Sequence, residues 1–253
     1  KKKEIQFFSE ADYTISLTHN GKSEIHSWSQ IVHQPIPIKV IPCCVDTSLF
    51  DATRYPDKSV IKNELGLGEN NFVLTYLGSI GTWYMLPEML RFFSLLLKVK
   101  PSAKFLFLTG DNPDHIIQEA ERQGVSKERL LIMKAQREDV PKYLTASDAS
   151  IFFIKPVFSK KASSPTKQGE IMSMEIPIIC NTQVGDTDYV IDTYRAGFLL
   201  KTFSTDAYQD IIMQLDELLN LDKANLRAGA EAFYSLKQGI ESYKEVYQEV
   251  LKS

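Results

Sequence analysis

The sequence predicts an α/β fold built on a doubly wound parallel sheet. Short apolar runs recur with little polar alternation, as in strands covered on both faces. Segments with helical apolar spacing lie between them, the order that right-handed strand–helix–strand crossovers produce. The 253 residues, 43% hydrophobic and 24% charged, suit a globular chain. One of this length buries on the order of 70–75% of its unfolded surface without a disulfide or metal staple.

A first strand is read at residues 13–17, with a helix over 22–32 after it. Gln34-Pro35-Ile36-Pro37-Ile38-Lys39-Val40-Ile41-Pro42 follows, and its three prolines mark an extended connector. Further strands are predicted at 72–77, 104–108, 130–133, 149–154 and 176–180. The intervening helices show as an apolar stripe from Met85 to Leu97, with Pro87 in its first turn, and as Ile116, Ile117, Ala120 and Val125. A short third helix carries Val140, Tyr143 and Leu144 behind Asp139 as N-cap, and a fourth runs from Pro165 to Met174. After Gly197-Phe198-Leu199-Leu200 the strand signal stops, and helical spacing continues from Asp206 to a last helix over 240–251. One strand and one helix before the connector are too few for a domain. They read as the end of a preceding domain that is mostly absent, in keeping with an initial Lys. The organisation expected is therefore 1–50 as that remnant plus connector, 51–235 as the main domain and 236–253 as a closing helix.

Charge narrows the function. With 29 basic and 32 acidic residues the net charge is −3, without the basic excess of a general nucleic-acid binder. Cys43, Cys44 and Cys180 lack metal-ligand spacing and read as reduced thiols of a cytosolic protein. His19, His26, His33 and His115 show no metal grouping, so no metal is expected. No apolar run reaches the ~18 residues of a spanning helix, and the opening does not read as a signal peptide. No nucleophile elbow or NTPase phosphate loop is present.

Three segments carry candidate chemistry. Ser163-Ser164-Pro165-Thr166-Lys167-Gln168-Gly169-Glu170 opens a helix at the carboxyl edge of a parallel sheet, where free N–H groups and the helix dipole favour a phosphate. Ser163, Ser164 and Thr166 add hydroxyl donors and Lys167 a positive charge. Glu170, one turn after Thr166, can accept from both hydroxyls of a ribose. Phosphate donors beside a ribose acceptor suit a nucleoside diphosphate, although an ordinary helix with an exposed Glu fits the same residues. Gly78-Ser79-Ile80-Gly81, at the first strand–helix turn, lets backbone approach a ligand or simply makes a tight turn; Trp83 beside it reads as packing. Gln183-Val184-Gly185-Asp186-Thr187 is a turn that could close over the ligand, with Asp186 or Thr187 capping the next helix.

In this order the segments resemble the C-terminal, donor-binding half of retaining, nucleotide-sugar-dependent GT-B glycosyltransferases of the bacterial surface-polysaccharide kind. The connector through Val45-Asp46-Thr47-Ser48-Leu49-Phe50 is similar to that family's interdomain link. Ser164-Pro165-Thr166-Lys167 with Glu170 resembles its donor-site helix, and Tyr243 and Tyr247 lie on a helix similar to one that returns to the N-terminal domain. The resemblance implies a Rossmann-like domain with Glu170 on the donor ribose and Ser163, Ser164 and Thr166 near the diphosphate. It further implies that Gly78, Ser79 and Gly81 line the cleft, and that Ala135, Gln136 and Arg137 border the base. Three positions depart from the family pattern: Ala162 stands where a second Glu is expected, Ser79 where an Arg is common, and Cys44 where Gly is usual. The diphosphate charge would then meet Lys155, Lys160, Lys161 or Lys167. The implied partners are a nucleotide-sugar and a saccharide or lipid-linked acceptor. No cofactor is implied, and catalytic residues would lie on the missing domain. That domain could also touch the inner membrane from the cytoplasm, leaving this chain able to bind donor but not to turn it over. A nucleotide-sugar epimerase and a non-catalytic nucleotide-sugar module are the alternatives.

Overall fold

A computed structural model describes residues 2–252. The chain opens with α1 (Lys2–Glu10), β1 (Thr14–Ser16), α2 (His19–His26) and β2 (Ile38–Val40). β1 and β2 pair in parallel, Thr14 opposite Ile38 and Ser16 opposite Val40. The proline-rich connector is thus partly a strand, because the open edge of β1 takes up its backbone groups. The helix expected over 22–32 forms earlier, where Thr18 Oγ1 accepts from Gly21 N at 2.9 Å and caps it. Ile31, Ile36 and Ile38 make a small core with Ile5, Phe8, Ile25 and Trp28, separate from the main one.

The main body follows as α3 (Lys58–Glu64), β3 (Val73–Leu77), α4 (Leu86–Val99), β4 (Lys104–Leu108), α5 (Pro113–Arg122) and β5 (Leu130–Met133). It continues through α6 (Val140–Leu144), β6 (Ala149–Phe152), α7 (Thr166–Ser173), β7 (Ile178–Asn181), α8 (Thr187–Tyr194) and β8 (Gly197–Leu200). The six strands lie in the order β5-β4-β3-β6-β7-β8, and each neighbouring pair is parallel. The doubly wound prediction holds. Continuous burial of β3 explains its nearly continuous apolar run, broken only by Thr75, since each large apolar side chain so covered contributes roughly 1.5–3 kcal/mol. The stripe of α4 buries Leu86, Met89, Leu90, Phe92, Phe93 and Leu96. An aromatic row links it to the sheet: Phe93 to Phe105 at 5.0 Å, Phe105 to Phe107 at 4.2 Å and Phe107 to Tyr76 at 5.9 Å between ring centres.

α9 (Thr205–Met213), α10 (Leu215–Leu219), α11 (Lys223–Tyr234) and α12 (Leu236–Val250) complete the chain. α11 lies against α7 so closely that a Cβ on Gly169 would come within 2.7 Å of the Tyr234 ring. α12 then runs back along the connector, with Leu236 N donating to Val45 O at 3.0 Å and Lys39 pairing with Glu245 at 2.9 Å. Two expected caps differ. Asp139 makes no side-chain cap; the Gln136 carbonyl accepts from Asp139 N and Val140 N at 2.9 and 3.1 Å, closing the turn through backbone alone. Asp186 precedes α8 but does not cap it, because its carboxylate is used elsewhere.

Candidate donor site

Sequential strands leave β3 in one direction and β6 in the other. Their adjacent carboxyl ends therefore open a crevice at the point where the winding reverses, the place where doubly wound sheets take ligands. α7 starts at this crevice. Its N-cap is Pro165, which has no N–H and makes no side-chain cap. Thr166 N and Lys167 N donate to no described residue, so the positive end of the helix is open toward an anion.

The flanking side chains are arranged by the fold. Lys167 points into the crevice beneath the β3–α4 turn, and its residue is only 7% exposed. The amine donates to Tyr76 Oη at 3.0 Å and lies 4.2 and 3.7 Å from the ring centres of Tyr76 and Tyr84. No carboxylate among the described residues pairs with it, and burial pushes the amine down to about 7. Gly78, at φ +106°, makes this possible: a Cβ there would meet the ammonium at 3.1 Å. Glu170 is buried on α7, and its Oε1 forms an ion pair with Arg137 Nη1 at 2.7 Å. Arg137 lies 5.1 Å over the Phe50 ring, so connector, β5–α6 loop and α7 meet at this carboxylate. No described residue donates to Glu170 Oε2.

The remaining expected site residues divide by location. Gly81 is exposed on the turn, with its N–H donating to Ser79 Oγ at 3.3 Å. Ser79 Oγ in turn donates to Asp111 Oδ2 at 3.1 Å, and Ile80 N donates to the same carboxylate. The turn's donors are therefore held by the loop after β4, a role for Asp111 that composition did not reveal. Gln136 is exposed beside Arg137, at the mouth of the crevice. Ser164 Oγ accepts from Cys43 N at 3.1 Å and so is tied to the connector, while Ser163 and Thr166 stay half-buried at the helix tip. Gln168 is fully buried with both ends of its side-chain amide unpartnered among the described residues. Of the other lysines proposed for anion contact, Lys161 pairs with Glu24 at 3.0 Å and Lys160 lies 4.3 Å over the Trp83 ring. Trp83, expected to pack, is 44% exposed and lies under the Lys160 amine.

The loop before α8 reaches across to the opening segment. Asp186 accepts from His19 N and Asn20 N at 2.6 and 3.1 Å and so caps α2 instead of its own helix. Gly185 N donates to Lys160 O at 2.8 Å, and a Cβ on Gly185 would fall 1.9 Å from the Ser163 carbonyl. No group of three or more metal-ligating side chains occurs among the described residues. None of their helices is long and apolar enough to cross a membrane.

A doubly wound parallel sheet of this order, with an uncapped helix N-terminus, a buried cation and a buried carboxylate at its switch point, has the Rossmann-like form of one half of a GT-B fold. Residues 57–232 match the family described as glycosyl transferases group 1, and the chain belongs to that family. Similar solved structures include a glycosyltransferase from Rickettsia africae, with a TM-score of 0.75 and 14% identity over 100% of this chain and 68% of that one. The sucrose-phosphate synthase of Thermosynechococcus elongatus has a TM-score of 0.73 and 16% identity over 98% of this chain and 61% of its own. Anabaena HepE, solved with UDP and glucose, has a TM-score of 0.70 and 15% identity over 100% of this chain and 66% of its own. The chain thus spans about 61–68% of the length of these three. No curated protein sequence matches it.

Proposed function

We propose that this chain is the donor-binding part of a retaining glycosyltransferase that moves a sugar from a nucleotide-sugar to a saccharide or lipid-linked acceptor in surface-polysaccharide or glycolipid synthesis. The observation that carries this reading is the open N-terminus of α7 at the switch point, with Lys167 and Glu170 both buried in its first turns. The pyrophosphate sits on the Thr166 and Lys167 N–H groups, with the Ser163 and Thr166 hydroxyls beside it. Glu170 Oε2 takes the ribose hydroxyls, and Arg137 holds the carboxylate in place. Ala135, Gln136 and Arg137 border the base. As the bond between sugar and diphosphate breaks, negative charge grows on the leaving oxygens. Preorganised N–H groups and the Lys167 ammonium stabilise it, so this reading requires no metal cofactor.

In the same reading, residues 1–50 are the end of an acceptor-binding domain that supplies the remaining catalytic groups. Membrane contact, on the cytoplasmic face, belongs to that domain. α12 presents Leu236, Ile240, Tyr243 and Tyr247 on an exposed face, an apolar surface of the kind that docks onto such a domain.

Glu170→Ala tests the reading by calorimetry with UDP and GDP. Loss of a charge-assisted pair of hydroxyl contacts should weaken binding by about 10- to 100-fold. Unchanged affinity removes Glu170 from the ribose and leaves the donor assignment without its anchor.

A further inference from the structure

We propose that Tyr76 is a positioning residue for Lys167, its hydroxyl oxygen holding the amine in place beneath Gly78. The proposal rests on the donor-site reading above and adds what the tyrosine does there.

The geometry sets the direction of each hydrogen bond. Tyr76 Oη donates to the Ser79 carbonyl, so its oxygen is left as the acceptor for the Lys167 amine at 3.0 Å. The other N–H bonds of that amine face aromatic rings, with the Tyr84 centre at 3.7 Å. Ring faces attract a cation, yet they replace neither water nor a counter-ion fully. Every charged or titratable group around the amine can be named. Tyr76 comes from β3 and Tyr84 from the turn before α4, with Cys43 of the connector beyond Tyr84. Glu170, on α7 itself, and Asp111, in the loop after β4, act on the amine through space without a direct contact. Both are engaged elsewhere, Glu170 by Arg137 and Asp111 by Ser79 and Ile80. The fold thus gives this buried amine a neutral partner and no paired anion.

A diphosphate on the open end of α7 changes that balance. It places negative charge beside the amine and favours its ammonium form. Binding then draws a proton from solution. Tyr76 keeps the amine in the same place whether or not it is charged.

Calorimetry of the 253-residue chain with UDP, in buffers of different ionisation enthalpy, reads the proton uptake directly. At pH 8 the terminal phosphate of UDP is already almost wholly ionised, given a second pKa near 6, so uptake there reports on the protein. Wild-type chain should take up a fraction of a proton per UDP that is larger at pH 8 than at pH 7. Tyr76→Phe keeps the ring and removes the acceptor. It should weaken UDP about tenfold and raise uptake at pH 7 toward a whole proton, because the amine of the free chain becomes harder to charge. Lys167→Met should abolish the uptake. If wild-type chain binds UDP with no uptake at pH 8, or if Tyr76→Phe lowers thermal stability without moving the uptake at pH 7, the positioning role is overturned. Failure of the donor-site reading looks different: UDP affinity would then be indifferent to both Lys167→Met and Glu170→Ala.

Discussion

Lys167 shows how far a single residue's environment departs from its type. In sequence it is one of 29 basic residues, read as a positive charge at a helix tip that favours a phosphate. In the fold it is enclosed by Tyr76, Tyr84 and Gly78, with its amine held near 7 by burial. Between about pH 7 and the ~10.4 of an unfolded lysine, the folded chain binds fewer protons than the unfolded one, so this group makes stability rise with pH. Its destabilisation is fully present below pH 7 and is relieved across that window. Lys167→Met should therefore stabilise the chain by about 1–3 kcal/mol at pH 6, with the gain shrinking toward pH 10. Urea denaturation at the two pH values checks this; a gain of equal size at both would show that the charge is not its source.

At the scale of elements, the loop between β7 and α8 does more than connect. Asp186 closes the N-terminus of α2, 166 residues earlier in the chain, and Gly185 packs its backbone against the Ser163 carbonyl just before α7, where a side chain would clash. A short acidic turn thereby joins the opening segment to the candidate donor site. Asp186→Ala leaves His19 N and Asn20 N without their acceptor and should cost about 1–2 kcal/mol. Hydrogen exchange should show the first turn of α2 exchanging faster while the body of α7 stays protected. Equal loss of protection in both helices would mean that the loop is a general scaffold with no specific hold on α2.

Across the whole molecule, Arg227 on α11 ties distant parts together. Its Nη1 donates to Phe50 O at 2.6 Å and to Ser173 O at 3.1 Å, and its Nη2 donates to Thr47 O at 2.8 Å. Connector, α7 and the C-terminal helices are thus joined through one guanidinium. Arg227→Ala leaves three carbonyls short of a donor and should cost about 2–4 kcal/mol in chemical denaturation. Arg227→Lys should recover only part of that, since an ammonium cannot reproduce the planar fork. Full recovery by Lys would show that charge alone matters at this position.

Sequence by itself determined the architecture and the position of the α7 tip at the carboxyl edge of the sheet. Continuous apolar runs such as Val73–Leu77 and the stripe of α4 are local patterns, imposed by burial on both faces of a sheet and by helical periodicity. Pro165, Thr166, Lys167 and Glu170 signalled a helix tip at a sheet edge, again within a few residues. Partnerships across long separations were decided by tertiary structure alone. Tyr76 sits in a run that reads as plain strand core, yet it meets Lys167 from 91 positions away. Asp186 looked like a cap for its own helix but serves α2, and the oxygen of Ser164, read as a hydroxyl at the helix tip, also accepts the connector's Cys43 N–H. A polar group's type sets how many hydrogen bonds it can make. Which groups come within 3 Å of it is set only when the chain packs.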